Sequence, residues 1–505
     1  MKNSLIVVSP KRRILILIVV ALSLLAVVSA VSGLNVALPS IARDTGATQS
    51  QLQWIVDAYT TVFAGLLLVS GAIGDRFGRK WILLVGLIIF GSASAVAFGT
   101  TSPVSLIAIR AVMGLGAAFI MPTTLSIIST SFPPEERGQA IGVWVGIAGG
   151  GAVLGMLASG VLLQYYTWSS FFGLNVGLAA LGVIGTLAVI PHMPELHPPK
   201  LDVLGALLSL VGVSALIFGI IEGGDRGWTD VYVLSGIIGG LLALTLFVFW
   251  ELRIKEPMLD PRLFILRGFG TGSLSITMQF FASFGFFYIA LQYLQYIAGF
   301  SALHAAVTLL PLPIVLIPLA RRAPALAKRF GTKRIVTIGL IFSTAGLLVF
   351  SRIGVDFSYA VFILGLVFFA IGMALVGTPS TTAITSSLPH EKQGVASAVN
   401  DVSREFGSAL GIAILGSVLN DQYKNGLVEA VKGLPQVVGD SAQKSIVYVQ
   451  QLPLQKFGAA GENLLKAANQ SFVDAARSAF EVAAVVTILA AIYVVVRAPG
   501  KDHVE

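Results

Sequence analysis

Residues 71–80 read GAIGDRFGRK. Four charges (Asp75, Arg76, Arg79, Lys80) and three glycines fall within ten residues of a chain that is only 11% charged. Both flanks are apolar. Of the 505 residues 55% are hydrophobic, and the surfaces of soluble domains this large would need roughly 25% charged residues. Runs such as residues 14–34 and 81–99 reach the ~20 apolar residues that cross a hydrocarbon layer. The composition predicts a polytopic membrane protein. With no cysteine in the chain, disulfide frameworks and Cys-ligated metal sites are excluded.

Fourteen helical segments are expected, at 14–37, 53–73, 81–100, 104–128, 139–163, 169–190, 202–221, 232–252, 269–292, 303–320, 335–350, 359–385, 396–418 and 476–497. Helices are the physical default, because lipid cannot satisfy exposed backbone groups. With the N-terminus in the cytoplasm, 22 Lys and Arg fall in cytoplasmic segments, whereas the short outer loops hold only Arg43, Arg226 and Arg352. That asymmetry places both termini inside and reads the net charge of +8 as topology. Nucleic-acid binding is disfavoured, since no basic face is interleaved with aromatics. The segment KRRILILIVVALSLLAVVSA can also be read as a signal peptide. Its apolar run continues unbroken into VSGLNVALP, which favours a retained first helix.

The opening stretch recurs. RFGRKWILLVGLI from Arg76 and RFGTKRIVTIGLI from Arg329 match at eight of thirteen positions, 253 residues apart. SFPPEERGQA from Ser131 and SLPHEKQGVA from Ser387 form a second pair, 256 residues apart; glycine pairs follow them at Gly151/Gly155 and Gly407/Gly411. One displacement of eight helices explains both. The expected organisation is therefore a bundle of helices 1–6 (residues 1–191), an inserted pair 7–8 (192–255), and a parallel second bundle of helices 9–14 (256–505) with a long outer loop at 420–475. Internal repeats of this kind are a usual transporter construction.

GAIGDRFGRK resembles the signature loop of the major facilitator superfamily, G-x-x-x-D-[RK]-x-G-[RK]-[RK], at every specified position. The fourteen-helix count, with NVALPSIARDTGATQSQLQWIVDAY, IEGGDRGW, EPMLDPRLF and GVASAVNDVSREFGSALG, is similar to its drug:proton antiporter branch. The resemblance implies alternating access, in which one bundle rocks against the other around a midplane site. It implies a cytoplasmic latch of Gly71, Asp75, Gly78 and Arg79, with Asp75 set against the N-terminal end of helix 13 near residues 394–396. The second copy holds Pro324 and Lys328 at the places of Gly71 and Asp75, so the latch is one-sided. Arg110, in LIAIRAVMGLGAA, resembles the family's helix-4 arginine, which the resemblance links to proton transfer. GAVLGMLASG resembles the antiport motif of helix 5: Gly151, Gly155 and Gly160 are kept, while Met156 and Ser159 replace Pro and Gly.

Intramembrane charges are expensive and point to function. The carboxylates that could partner Arg110 are Asp57, Glu222, and Asp401 and Glu405, which share one helix face with Arg404. Relatives carry an acid in helix 1 where this chain has Ala30. Asp57 reads equally as a wetted rim residue, Glu222 as part of an outer turn, and the 401–405 cluster as helix-interface material. Asn35, with Gln279, Tyr288, Gln292 and Tyr293 of the aromatic helix 9, is a candidate lining for a cavity holding a bulky amphipathic ligand, including a cation. No catalytic residue, metal site or cofactor is expected: the five His lack ligand spacing, no P-loop exists, and GIAGGGAVLG lies in an apolar helix with no preceding strand. The chain is not expected to be an enzyme. The leading reading is a monomeric, multi-pass cell-membrane exporter that exchanges protons for amphipathic small molecules. Export of an endogenous lipid or metabolite is the first alternative, and a non-transporting sensor or scaffold the second.

Overall fold

The computed structural model describes residues 9–191, 202–255, 257–388, 393–432, 434–453 and 457–500. The described residues are helical and form no strand. The first helices are α1 (Pro10–Thr45), α2 (Gln49–Phe77), α3 (Arg79–Phe98), α4 (Pro103–Ser131), α5 (Pro134–Tyr165) and α6 (Ser170–Val189). α7 (Val203–Arg226) and α8 (Val231–Glu251) follow, then a short 3-10 helix (Pro261–Ile265), α9 (Arg267–Tyr296), α10 (Ala302–Thr308) and α11 (Pro311–Phe330). The chain continues through α12 (Thr332–Phe350), α13 (Tyr359–Ser386), α14 (Gln393–Leu427), α15 (Gln436–Lys444), α16 (Ile446–Gln451) and α17 (Ala459–Arg497). Among the described residues, twelve helical stretches are long and apolar enough to cross a membrane. The segments expected at 53–73 and 139–163 coincide with α2 and α5.

Helix starts follow from local chemistry. Thr48 and Gln51 form a reciprocal capping box on α2, satisfying two backbone donors that the helix itself leaves open. Asp202 and Asp230 cap α7 and α8. Asp202 also accepts from the Trp250 indole at 2.9 Å, which pins the start of α7 to the end of α8. The recurring RFG sequence builds the same corner twice. Gly78 (φ +94°) and Gly331 (φ +91°) each end one helix and open the next, a backbone conformation that L side chains rarely adopt. Arg76 lies over the Phe77 ring at 5.9 Å, and Arg329 over Phe330 at 5.2 Å.

The duplication extends to packing. α1 packs on α5 and α6, α2 on α4, and α3 on α4 and α6; correspondingly α9 packs on α14 and α17, α11 on α13, and α12 on α13 and α17. Glycines set the closest approaches. Gly86 and Gly116 meet backbone to backbone between α3 and α4, and Gly339 and Gly372 do the same between α12 and α13. These pairs are related by the same displacements of 253 and 256 residues. Small residues let helix backbones touch where lipid offers no competing hydrophobic drive.

Two features depart from the expected plan. The segment expected at 303–320 is broken between α10 and α11 at Leu309 and Leu310, just before Pro311 and Pro313, which cannot donate to a continuing ladder. The segment expected to be a loop at 420–475 is largely structured among its described residues: it holds the end of α14, all of α15 and α16, and the first turns of α17.

Candidate functional site

α2 and α4 cross so closely that a Cβ on Gly114 would meet the Tyr59 carbonyl oxygen. Arg110 lies one turn before Gly114 on the same face of α4 and is 0% exposed. Its Nε donates to the Ile55 carbonyl at 2.9 Å, and its guanidinium carbon lies 4.3 Å from the Tyr59 ring centroid. Nη1 reaches Met113 Sδ at 4.0 Å, while Nη2 has no hydrogen-bond partner among the described residues. The cation is thus held by one carbonyl and one aromatic face, with a donor left open.

Asp57 is also 0% exposed, so it is dry in this conformation. Its Oδ1 accepts from Thr60 at 3.3 Å, and its Oδ2 has no partner among the described residues. No ion pair joins Asp57 to Arg110 among those residues. The two open groups lie on α2 and α4 without being neutralised by each other.

Above Asp57, at four-residue intervals on the same face of α2, stand Gln53 and Gln49. Gln49 Nε2 donates to Tyr288 Oη at 3.0 Å and Gln292 Oε1 at 3.2 Å on α9. Gln53 Nε2 donates to the carbonyls of Ile412 at 3.4 Å and Ala413 at 3.3 Å on α14. Gly416 makes room for that amide, because a Cβ there would strike it. Gln295 Nε2 donates to the Val36 carbonyl of α1 at 3.0 Å. Tyr448 of α16 donates to the Gly46 carbonyl, and Gln451 Nε2 to the Arg43 carbonyl at 2.9 Å. Between described residues, the hydrogen bonds that link α1–α6 to α9–α17 gather at this one end of the molecule. They form a seal made largely of amides and tyrosines.

α7 reinforces the seal from the side. Glu222 accepts from Trp54 Nε1 of α2 at 3.2 Å and from Arg226 Nε at 2.6 Å. Glu222 is therefore a helical residue with both oxygens engaged. One turn on, Asp225 pairs with Lys424 of α14 and accepts from Asn420 Nδ2 at 3.1 Å. Asn420 also donates to Ser50 Oγ at 3.3 Å. The i, i+3 spacing in IEGGDR was the available signal for this double tie. Its partners Lys424 and Asn420 lie almost two hundred residues away and were not found by sequence reasoning.

On α14, Asp401 is 8% exposed, and Arg404 stacks its guanidinium 5.1 Å from the Phe280 centroid of α9. Arg404 Nε has no partner among the described residues. Glu405 is half-buried and lies near enough to Tyr59 to act on it electrostatically. α14, which carries this cluster, packs on α2 as well as on α9.

The remaining sequence candidates separate. Tyr288 and Gln292 belong to the seal. Gln279 instead accepts from Ser343 Oγ of α12 at 3.1 Å, and Tyr293 donates to the Gly354 carbonyl, between α12 and α13, at 2.8 Å. Asn35 donates to Val31 O at 3.2 Å and leaves its buried Oδ1 without a partner among the described residues. Gly151 and Gly155 pack α5 on α1: a Cβ on Gly155 would lie 2.7 Å from Ser29 Cα. Gly160 faces α10, where an added Cβ would lie 3.0 Å from Leu303 Cα. In the expected latch, Arg79 opens α3 and a Cβ on neighbouring Gly74 would lie 3.4 Å from Thr123 Oγ1. The surroundings of Gly71 and the side chain of Asp75 lie outside what is described.

The chain matches the Major Facilitator Superfamily over residues 20–412. It is 31% identical to the puromycin resistance protein pur8 of Streptomyces alboniger, over 81% of this chain and 82% of that one. It is 31% identical to the methyl viologen resistance protein SmvA of Salmonella typhimurium over 93% of both chains. It is 30% identical to the tetracenomycin C resistance and export protein of Streptomyces glaucescens, over 90% and 86%. A solved structure of a bacterial homologue of the human lysosomal transporter Spinster shares the fold, with a TM-score of 0.63 at 18% identity and 97% coverage of both chains.

Proposed function

Because the chain belongs to the Major Facilitator Superfamily, and is therefore a multi-pass membrane transporter and not an enzyme, we propose that it exports bulky amphipathic drugs or dyes, cations among them, in exchange for protons. The resistance and export roles of the three relatives support drug export. In this reading fourteen helices span the cell membrane and both termini are cytoplasmic. Helices α1–α6 and α9–α17 act as two rocking halves around α7–α8, and the transporter works as a monomer. Gly71, Asp75, Gly78 and Arg79 latch the cytoplasmic side.

One observation carries the coupling. Asp57 lies on the same face of α2 that seals the halves through Gln49 and Gln53, and it is buried with an open oxygen. Parting α2 from α9 and α14 to open the outer side wets Asp57; closing the seal buries it again. A carboxyl alternating between water and a dry site takes up and releases a proton. Arg110 supplies positive charge that favours the ionised carboxylate when the two approach, and Asp401 and Glu405 are the acids that can draw it away.

Everted membrane vesicles provide the test. Accumulation of a fluorescent cationic dye is expected to stop with a protonophore and with Arg110→Ala. Insensitivity to both overturns proton-coupled dye transport. A second reading, export of an endogenous lipid or metabolite, is favoured by the uncharged Ala30 and by Met156 within the helix-5 motif. A lipid or metabolite that accumulates in cells lacking the protein supports it.

A further inference from the structure

The second copy of the RFG corner opens on a cavity that the first copy gave no reason to expect. A space of about 310 Å³ lies among the ends of α9, α11, α12, α13 and α17. Its wall carries Lys328 and Lys333 with the hydroxyls of Thr332, Ser380, Ser386 and Ser387, and no acidic side chain among the described residues. Ser380 is 1% exposed, yet its Oγ has no hydrogen-bond partner among the described residues. Buried hydroxyls are seldom left in that condition. Val336, Val494 and Ala498 supply an apolar flank.

The backbone adds to the positive character. α12 begins at Thr332, after Gly331, and α9 at Arg267, after Leu266, and neither start has a side-chain cap. The first-turn N–H groups of both helices therefore lack an intrahelical acceptor, and both positive dipole ends border the cavity, at Thr332 and Gly268. Comparison of the two repeats sharpens the point. In the first, Lys80 donates to the Leu187 carbonyl at 3.1 Å, at the end of α6. In the second, Lys333 stands at the same place, and its ammonium has no partner among the described residues. Where the first repeat holds Asp75, the second holds Lys328, so the repeated corner supplies a cation in place of an acid.

We propose that this cavity binds a phosphate-type anion, carried by free phosphate or by the headgroup of an anionic lipid. Two ammonium groups, two uncapped helix starts and an unpartnered buried hydroxyl converge on one space. That combination matches the charge and the many acceptors of a phosphate, and the apolar flank suits a headgroup attached to acyl chains. The site is separate from the α2–α4 charges and from the seal, so its occupancy is independent of the transport reading above.

Thermal unfolding of the purified full-length protein in neutral detergent tests it. Short-chain phosphatidylglycerol and inorganic phosphate are compared with phosphatidylcholine and with chloride at matched ionic strength. A rise in the unfolding midpoint with phosphatidylglycerol alone supports a lipid headgroup, and a rise with both ligands supports a phosphate anion from either source. K328Q/K333Q is expected to abolish the rise. Ser380→Val, which removes one charge-assisted hydrogen bond, is expected to weaken apparent affinity about tenfold. No rise with either ligand, or an equal rise in the wild type and both variants, overturns the proposal.

Discussion

A guanidinium brings five N–H donors, and at Arg110 the surrounding helices offer one carbonyl, one thioether and the face of Tyr59. That economy is informative, since a purely structural arginine would be expected to find a carboxylate. Lysine carries the same charge without the planar fork, so it cannot hold Ile55 and cover Tyr59 together. Arg110→Lys is therefore expected to fold and insert, yet to lose at least about tenfold of vesicle dye transport, roughly the worth of one well-placed charged hydrogen bond. Wild-type transport in that variant would remove Arg110 from the coupling. The acids separate by the same reasoning. Both oxygens of Glu222 are engaged by Trp54 and Arg226, whereas Asp57 keeps one oxygen open. Glu222→Gln is expected to retain protonophore-sensitive transport and Asp57→Asn to lose it. The reverse ranking would move the proton site to α7.

Between elements, glycine carries much of the specificity. Gly407 and Gly411 of α14 press against the backbone carbonyls of Thr277 and Phe281 on α9, so added Cβ atoms would strike oxygen rather than a yielding side chain. Gly151 and Gly155 make the equivalent approach of α5 to α1, where the neighbours are side chains and Cα atoms. Gly411→Ala should therefore cost about 1–3 kcal/mol through overpacking, read as a lower unfolding midpoint in detergent. Gly177→Ala is the control, because a Cβ there meets nothing within 4 Å. Equal midpoints for the two variants would mean that α9 and α14 part freely. These contacts were half legible. The glycine pairs stood out in the sequence by their repetition, whereas the atoms they face depend on helix rotation, which apolar spans with no strong hydrophobic face do not fix.

Across the whole molecule, length and apolarity announced the spans, and the duplicated RFG and glycine pairs announced the repeat. The seal was hidden. Residues 45–53, TGATQSQLQ, look like an ordinary polar helix start, and only their approach to Tyr288, Gln292 and Ile412 turns the amides into cross-half ties. Tyr448 and Gln451 were equally hidden, because nothing in a polar connecting segment tells which carbonyl it will meet. If the halves rock, these bonds must break once per cycle. Amide hydrogen bonds suit that duty, since each contributes only about 1 kcal/mol net and water replaces it on opening. The chain contains no cysteine, so Q49C/Q292C introduces one thiol pair on a blank background, where the two side chains now approach to 3.2 Å. Oxidation is expected to join the two halves, to stop dye transport in everted vesicles, and to release both effects on reduction. Either single variant should transport throughout. Full crosslinking with unchanged transport would show that the sealed end stays shut during the cycle, and alternating access through this seam would have to be given up.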